Sequence, residues 1–198
     1  FCHAPIKRDD PEKFRKQFGG DYNGFGWMGP KMRWCTNRLK DAPREKYLRE
    51  LRKKYTLYQY VGLAADEGYR LKRKNNQRTE CVHPLAEWGM TESDCLQYCR
   101  DCGFDWNGLY QHFRRVSCWL CPLQPLDELR ALWDHFPELW EKLKKYESMT
   151  WRKYRSDYSV DELEIRFAFE KECLAQGLPI RNKAFFTALK ERLVNANE

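Results

Sequence analysis

Two Cys-x-x-Cys pairs constrain this sequence most, because a metal ion bound by both would fix how the chain between them folds. Cys99 and Cys102 form the first pair, Cys118 and Cys121 form the second, and Pro122 follows directly. A knuckle of this kind points both sulfur atoms to one side, where a soft metal or an iron–sulfur cluster binds. The C-x2-C-x15-C-x2-C spacing therefore predicts a metal site. In the alternative interpretation these cysteines are small buried hydrophobic residues.

The cysteine count indicates the redox environment. The chain has nine cysteines in 198 residues and no recognisable secretory signal, which favours free thiols in a reducing cytoplasm over a disulfide scaffold. No apolar run reaches the roughly 18 residues that a membrane span needs, so we expect no membrane partner. The sequence begins at Phe1 without an initiator Met, and we expect a fragment or a processed product.

Charge and aromatic content suggest the class of partner. The formal net charge is +7 and the chain has eight Trp, a combination that suits nucleic acid or a polyanionic small molecule. The most basic stretch runs from Arg70 to Arg78 and is a candidate for phosphate contacts. In the alternative interpretation this stretch is a solvated loop and the aromatic residues form an ordinary core.

Local patterns predict one good strand and several helices. Residues 56–65 are apolar and β-rich, and Asp66 and Glu67 follow them at the carboxyl end, where open α/β sheets bind ligands. Capping boxes at Thr91 and Ser159 predict two helix starts. Helices are predicted over residues 10–18, 43–54, 91–102, 126–133, 137–146, 159–176 and 182–193.

Four short segments follow one another along the chain: RWCTNRLK at 33–40, GLAADE at 62–67 with Arg70 after it, HPLAEW at 83–88, and RRVSCWLCPLQ at 114–124. In this order they resemble the phosphoadenosine phosphosulfate reductase family, most closely its cluster-binding phage- and prophage-type members. These belong to the adenine nucleotide alpha-hydrolase-like superfamily. The family's Ser-Gly-Gly-x-Asp-Ser phosphate loop is absent here, so the resemblance implies the C-terminal portion of such a protein.

The resemblance implies a fold and a domain division. We expect an α/β fold, part of a doubly wound parallel sheet with a helical C-terminal portion. Residues 1–124 would form the reductase-like α/β domain with a four-cysteine site. Residues 125–198 would form a helical extension.

The resemblance also implies the ligands of a cofactor. Cys35, Cys99, Cys118 and Cys121 would bind a 4Fe–4S cluster or, alternatively, zinc. On spacing alone, Cys102 competes with Cys35 for the fourth place. Cys35 lies in a basic, aromatic segment, where positive charge favours the thiolate that a metal needs.

A second set of residues is implied for substrate. Arg33, Lys40 and Arg70 would contact the phosphate or sulfate of an adenosine phosphosulfate-type nucleotide. An Arg suits a bidentate contact, and a Lys acts as a point charge. Asp66 and Glu67 would order the basic loop or position ligand hydroxyl groups.

The expected function is sulfur or sulfonucleotide chemistry in a reductase-like oxidoreductase or sulfurtransferase. One alternative is a nucleic-acid-binding module whose two Cys pairs hold a structural zinc ion. A further alternative combines the two, as an enzyme that modifies DNA with sulfur. Metal content and nucleic-acid binding distinguish these functions.

Overall fold

The computed structural model describes residues 11–18 and 26–196, and the chain divides into two compact units. The helical unit comprises Phe1–Cys35 and His112–Glu198, and the mixed unit comprises Thr36–Gln111. The first residue of the helix predicted over 10–18 lies outside the described residues. The boundary predicted between residues 124 and 125 falls inside the helical unit and stays a prediction.

Helices dominate the described residues, at 56%, and strands account for 3%. In chain order the helices are α1 (Pro11–Phe18), α2 (Trp34–Thr36), α3 (Ala42–Arg52), α4 (Gly68–Leu71), α5 (Pro84–Glu87), α6 (Glu92–Asp101), α7 (Leu126–His135), α8 (Pro137–Ser148), α9 (Val160–Ala175) and α10 (Lys183–Asn195). A π-helix covers Asn37–Asp41, a 3-10 helix covers Trp106–Gln111, and the strands are β1 (Gln59–Tyr60) and β2 (Cys81–Val82). Within the described ranges, no helix has the length and apolarity needed to cross a membrane.

Capping side chains set where three of the longer helices begin. The side-chain oxygens of Thr91, Ser159 and Asn182 accept hydrogen bonds from the backbone N–H three residues further on, at 3.2, 3.1 and 2.8 Å. These bonds satisfy donors that have no partner inside the helix. The predicted starts of α6, α9 and α10 are therefore confirmed.

The core of the helical unit lies between α7, α8 and α9. Its buried side chains recur every three or four residues along each helix, which places them on one face. They are Leu129 and Leu132, Trp140 and Leu143, and Val160, Leu163 and Phe167. A second face of α9 packs against α10, where Phe169 stacks on Phe185 with ring centroids 5.0 Å apart. The four helices predicted after residue 125 are thus confirmed.

The prediction of a doubly wound parallel sheet is wrong. Across the described residues, β1 and β2 form the sheet as a single parallel pair, in which Gln59 aligns with Cys81 and Tyr60 with Val82. The strand predicted over 56–65 shrinks to two residues, and Tyr60 is 75% exposed. Parallel sheets normally have both faces covered by packed structure. The exposed Tyr60 shows that this run is not covered in that way, and Leu63 and Ala64 are buried in a loop after β1 instead.

Candidate functional site

The Cys118–Cys121 knuckle is a tight turn in the helical unit. The backbone N–H of Cys121 donates to the carbonyl of Cys118 at 3.0 Å, as the predicted knuckle requires. The side chain of Gln124, which is 6% exposed, donates from Nε2 to the same carbonyl at 2.5 Å. The turn is therefore held from inside by a buried amide as well as by its own backbone.

Arg155 holds the residues after the knuckle. Its Nη1 donates to the carbonyls of Pro122 and Gln124, both at 2.9 Å, and its Nε donates to Asp157 at 2.9 Å. Both N–H groups of Nη1 and the N–H of Nε thus meet acceptors within the unit. Sequence reasoning missed Arg155 and Gln124, because nothing in their local sequence shows that they reach back to the knuckle.

Cys35 lies in the same unit as the knuckle. It belongs to α2, which the indole of Trp34 anchors by donating to the carbonyl of Gly26 at 3.1 Å. Half-buried Cys35 packs against the core of the helical unit, as do Trp119 and Leu120 from the knuckle itself. The family resemblance therefore named a cysteine that the fold brings to the same core as the pair at 118 and 121.

The pKa of Cys121 reflects the groups around it. Burial is the main factor that raises the pKa of the Cys121 thiol, and the nearby Cys118 and Cys35 raise it further. The backbone N–H of Leu123 and the positive charge of Arg33 act in the opposite direction. Cys35, Cys118, Cys121 and Arg33 thus share one neighbourhood, in which a metal would displace the proton from Cys121.

The donor set fits a soft metal, but it is not gathered into a cage. Three thiols are the ligands that zinc and iron–sulfur clusters prefer. In the described part of the chain, however, no three His, Cys, Asp or Glu side chains lie close enough together to hold a metal ion. Cys99 and Cys102 belong to the mixed unit, so three of the four ligands implied by the resemblance occur in one unit.

The mixed unit carries its own cysteine face on α6. Cys95 and Cys99 are half-buried on this helix, and Cys102 is exposed just after it. Burial raises the pKa of the Cys95 thiol, and the charges of Asp94 and the neighbouring Cys99 raise it further. All cysteines in the described ranges are free, which leaves these thiols available as ligands.

Asp66 and Glu67 stabilise the backbone around them. Asp66 accepts a hydrogen bond from the backbone N–H of Glu92 at 3.1 Å, at the start of α6. Glu67 accepts one from the N–H of Ala64 at 3.2 Å and forms an ion pair with Arg70. Both carboxylates therefore have partners within the protein. Their roles toward a nucleotide stay a prediction.

The predicted phosphate contacts fall in different units. Arg33 is an exposed residue of the helical unit, and its positive charge acts to lower the pKa of Cys121. Lys40 is exposed on the π-helix of the mixed unit, and Arg70 lies in α4 of that unit. Of the three predicted cations, Arg33 is therefore the one in the same unit as the Cys118–Cys121 knuckle.

The mixed unit also contains a polar cleft, of about 380 Å³. Arg44 on α3, Gln59 on β1 and Arg78 in the basic loop line it. The backbone carbonyl of Asn76, also at the cleft, accepts a hydrogen bond from Nε2 of His83 at 2.7 Å. The cleft joins three separate parts of the sequence, and sequence reasoning identified only the basic loop.

Comparison with known proteins does not identify a function for these residues. No family model matches the sequence, and no solved structure matches it. The chain is 26% identical over 146 residues to an uncharacterized protein of Methanocaldococcus jannaschii. The match covers 70% of this chain but 29% of that protein, so the chain spans less than a third of its relative's length.

Proposed function

We propose that this chain is the thiol-bearing part of an enzyme of sulfonucleotide chemistry, similar to phosphoadenosine phosphosulfate reductases. Cys35, Cys118 and Cys121 would hold an iron–sulfur cluster or zinc, and Arg33 would contact an anionic substrate. One observation supports the proposal: Cys35, far away in sequence, packs on the same core as Trp119 and Leu120 of the knuckle, and the charges of Cys35 and Arg33 both affect the pKa of Cys121. Activity belongs to the whole protein, as the greater length of the relative suggests.

The surroundings of the knuckle support metal binding. Gln124 holds the Cys118 carbonyl of the turn, and Arg155 holds the carbonyls of Pro122 and Gln124 directly after it, so the turn can keep its shape while its thiols lose their protons. Outer-shell hydrogen bonds of this kind orient metal ligands in known sites. When bound, an iron–sulfur cluster would supply a charged, redox-active group that tunes or positions the substrate. The family resemblance implies Cys99 as the fourth ligand, and this stays a prediction.

The position of Arg33 supports the substrate assignment. It is exposed, and its charge acts on Cys121. A guanidinium forms paired hydrogen bonds with phosphate or sulfate oxygens. Glu67, by contrast, already neutralises Arg70. Arg33 is therefore the better-supported anion contact of the predicted set.

Nucleotide binding to the full chain tests this assignment. We expect adenosine phosphosulfate to bind in isothermal titration calorimetry, and Arg33→Met to weaken it about tenfold or more, because a charge-assisted hydrogen bond is lost. Lys31→Met is the matched control, since Lys31 is an exposed cation two residues away. Equal affinities for wild type and Arg33→Met would remove Arg33 from the site.

A second candidate function is binding of single-stranded nucleic acid by the mixed unit. Residues 36–78 carry thirteen Lys and Arg against five Asp and Glu. Tyr58, Tyr60 and Tyr69 are 66%, 75% and 76% exposed, and the Arg73 guanidinium lies 4.8 Å from the ring centroid of Tyr69. Proteins that bind single strands combine cations with exposed aromatic rings on which bases stack.

Binding of a single-stranded oligonucleotide at several salt concentrations tests this candidate. The affinity should fall steeply with salt, because phosphate contacts release counterions. Replacing Tyr58 and Tyr60 by Ala should weaken binding by about 1–3 kcal/mol for each base that stacks. Tyr98→Ala is the control, an equally exposed tyrosine in the acidic part of this unit. The same loss in the control, or no binding at low salt, rules the candidate out.

A further inference from the structure

Two histidines outside the predicted sites lie in contact in the helical unit. The imidazole rings of His112 and His135 have centroids 4.0 Å apart and planes inclined at 37°. His135 ends α7, and His112 is the first residue of the second chain segment of this unit. Both residues are exposed, so an ion can reach the imidazoles from solvent.

Aromatic contacts hold the His112 ring in position. The ring meets Phe136 at a centroid distance of 5.8 Å and an angle of 89°, and Phe113 stacks on Phe136 at 5.6 Å. Phe136 is itself fixed at the end of α7, where its backbone N–H donates to the carbonyl of Leu132 at 2.9 Å. The two imidazoles are thus positioned before any ligand binds, which lowers the entropy cost of binding.

Space and negative charge lie beside His135. This residue lines a cavity of about 270 Å³ together with Asp127 and Asp134. An oxygen atom of Asp134 lies 4.0 Å from Nε2 of His135. The cavity has room for several water molecules of about 30 Å³ each. A hydrated ion that binds the imidazoles therefore fits here.

The cations around this cavity already have partners. Each of them forms an ion pair with a carboxylate, so each positive charge is offset inside the unit. The pairs are Arg130 with Glu170, Lys171 with Asp134 and Arg114 with Asp127. A metal ion at the imidazoles would therefore approach a surface whose fixed positive charges are neutralised.

The distance between the rings fits one shared metal ion. Two nitrogen atoms that bind the same zinc ion lie at most about 4.2 Å apart, because each Zn–N bond is about 2.0–2.1 Å long. The centroids of His112 and His135 lie within that limit. Imidazole binds zinc, copper and nickel, whereas calcium and magnesium prefer oxygen ligands. The pair therefore favours a divalent transition metal over a hard cation.

We propose that His112 and His135 together bind a divalent transition-metal ion such as zinc at the surface of the helical unit. Among the described residues, no third His, Cys, Asp or Glu side chain lies close enough to complete the set, so water fills the remaining positions. Asp127 and Asp134 offset the charge of the ion from the cavity. The site shares no residue with the knuckle thiols, so it stands or falls separately from the proposed function.

Zinc titration of the isotope-labelled full chain, followed through the NMR signals of the imidazole nitrogens, tests the proposal. We expect the signals of His112 and His135 to move together and to saturate, because one ion binds both rings. His83 is the internal control, since its Nε2 already donates to the carbonyl of Asn76 at 2.7 Å. Zinc bound by thiols leaves the imidazole signals in place, so the readout is specific to this site.

His112→Phe separates metal binding from ring stacking. It keeps an aromatic ring beside His135 and Phe136 but removes the nitrogen ligands. The zinc affinity at His135 should fall at least about tenfold, since even the outer-shell partners of metal ligands are worth about 10- to 100-fold in affinity. Equal affinity in the variant and the wild type would overturn the proposal, because His135 would then bind zinc alone.

Magnesium is the control for the chemistry of the ligands. It should leave both imidazole signals unmoved, because it prefers oxygen ligands. A magnesium response as strong as the zinc response would overturn the proposal, since the carboxylates would then hold the ion. The absence of a saturable zinc response in the wild type would overturn it as well, and both wild-type titrations decide the matter even if His112→Phe folds poorly.

Discussion

Glu147 is a half-buried carboxylate that joins the segment around Tyr154 to a helix. Its Oε1 accepts a hydrogen bond from the backbone N–H of Tyr154, and its Oε2 accepts one from the N–H of Val160, each at 2.6 Å. Val160 is the first residue of α9. Burial raises the pKa of Glu147 above its usual value, against the lowering effect of the two N–H groups. One side chain thus positions both Tyr154 and the start of α9.

Replacing Glu147 by Gln should lower the free energy of unfolding by about 1–3 kcal/mol, because the amide leaves one buried N–H without an acceptor. The raised pKa also gives the effect a pH dependence. Folding takes up a proton at Glu147 above the unfolded pKa, so the stabilisation is complete at acid pH and declines as pH rises through the folded pKa. Urea unfolding at pH 5 and pH 8 should therefore show the larger deficit at pH 5.

Glu138→Gln is the matched control for this prediction. Glu138 lies in the same helix and is exposed, so its loss should change stability by only a few tenths of a kcal/mol. A deficit for Glu147→Gln that grows from pH 5 to pH 8 would show that the carboxylate is favoured over the acid in the folded state.

At the scale of elements, α9 connects the parts of the helical unit. One of its faces packs on α7 and α8, and another packs on α10. Between these faces, Glu170 is 3% exposed and pairs with Arg130 of α7 and with Arg166 of α9 itself. A buried carboxylate with two guanidinium partners meets the requirement that buried charges be paired. A change at the start of α9 should therefore affect the whole unit.

Ser159→Ala should lower the free energy of unfolding by about 1 kcal/mol, since it removes the cap of α9. Ser148→Ala serves as the control, because the Ser148 hydroxyl is exposed and donates to the carbonyl of Lys145 at a helix end. Thermal or urea unfolding checks both variants. Equal stability of Ser159→Ala and wild type would mean that tertiary packing, not the cap, fixes where α9 begins.

The sequence predicted those elements whose signals are local. Thr91, Ser159 and Asn182 cap helices through bonds to residues three positions away, so each start was readable without the fold. The extent of the strand predicted over 56–65 could not be read in this way, because strand formation depends on partners distant in sequence. In the structure only Gln59 and Tyr60 of that run pair with another strand, β2, and the apolar residues after them form a loop.

The candidate site shows the same division between local and distant signals. The Cys118–Cys121 turn was evident from spacing, whereas Cys35 was linked to it through the family resemblance. Arg155 reaches the residues after the knuckle from more than thirty residues away. A lone Arg between two helices has no periodicity or motif that would reveal this contact.

At the scale of the whole molecule, burial is uneven between the two units. The buried hydrophobic residues of the described chain lie in the helical unit, apart from Leu63 and Ala64 of the mixed unit. Regions with few buried apolar contacts open more readily than the rest of a protein. The mixed unit, with its exposed tyrosines and short strands, should therefore be the less stable of the two.

Hydrogen–deuterium exchange measured by mass spectrometry checks this expectation. Peptides from β1, β2 and the basic loop should exchange before peptides from α8 and α9, by at least about tenfold in rate. A ligand of the mixed unit should slow the exchange of its peptides, because binding to the folded form stabilises it. Equal protection in both units without ligand would show that the mixed unit has a stabilising contact that its burial does not reveal.

We propose that Cys35 acts with the Cys118–Cys121 knuckle as one soft-metal site. Metal and sulfide analysis of anaerobically purified protein, with its absorbance near about 400 nm, tests this most directly in a series of single Ser replacements. Wild type should contain an iron–sulfur cluster or stoichiometric zinc, and Cys35→Ser, Cys118→Ser and Cys121→Ser should each lose it. Cys102→Ser, at an exposed thiol of the mixed unit, should keep it. A full metal content in Cys35→Ser together with its loss in Cys102→Ser would contradict the account, as would a wild-type protein that binds neither zinc nor a cluster.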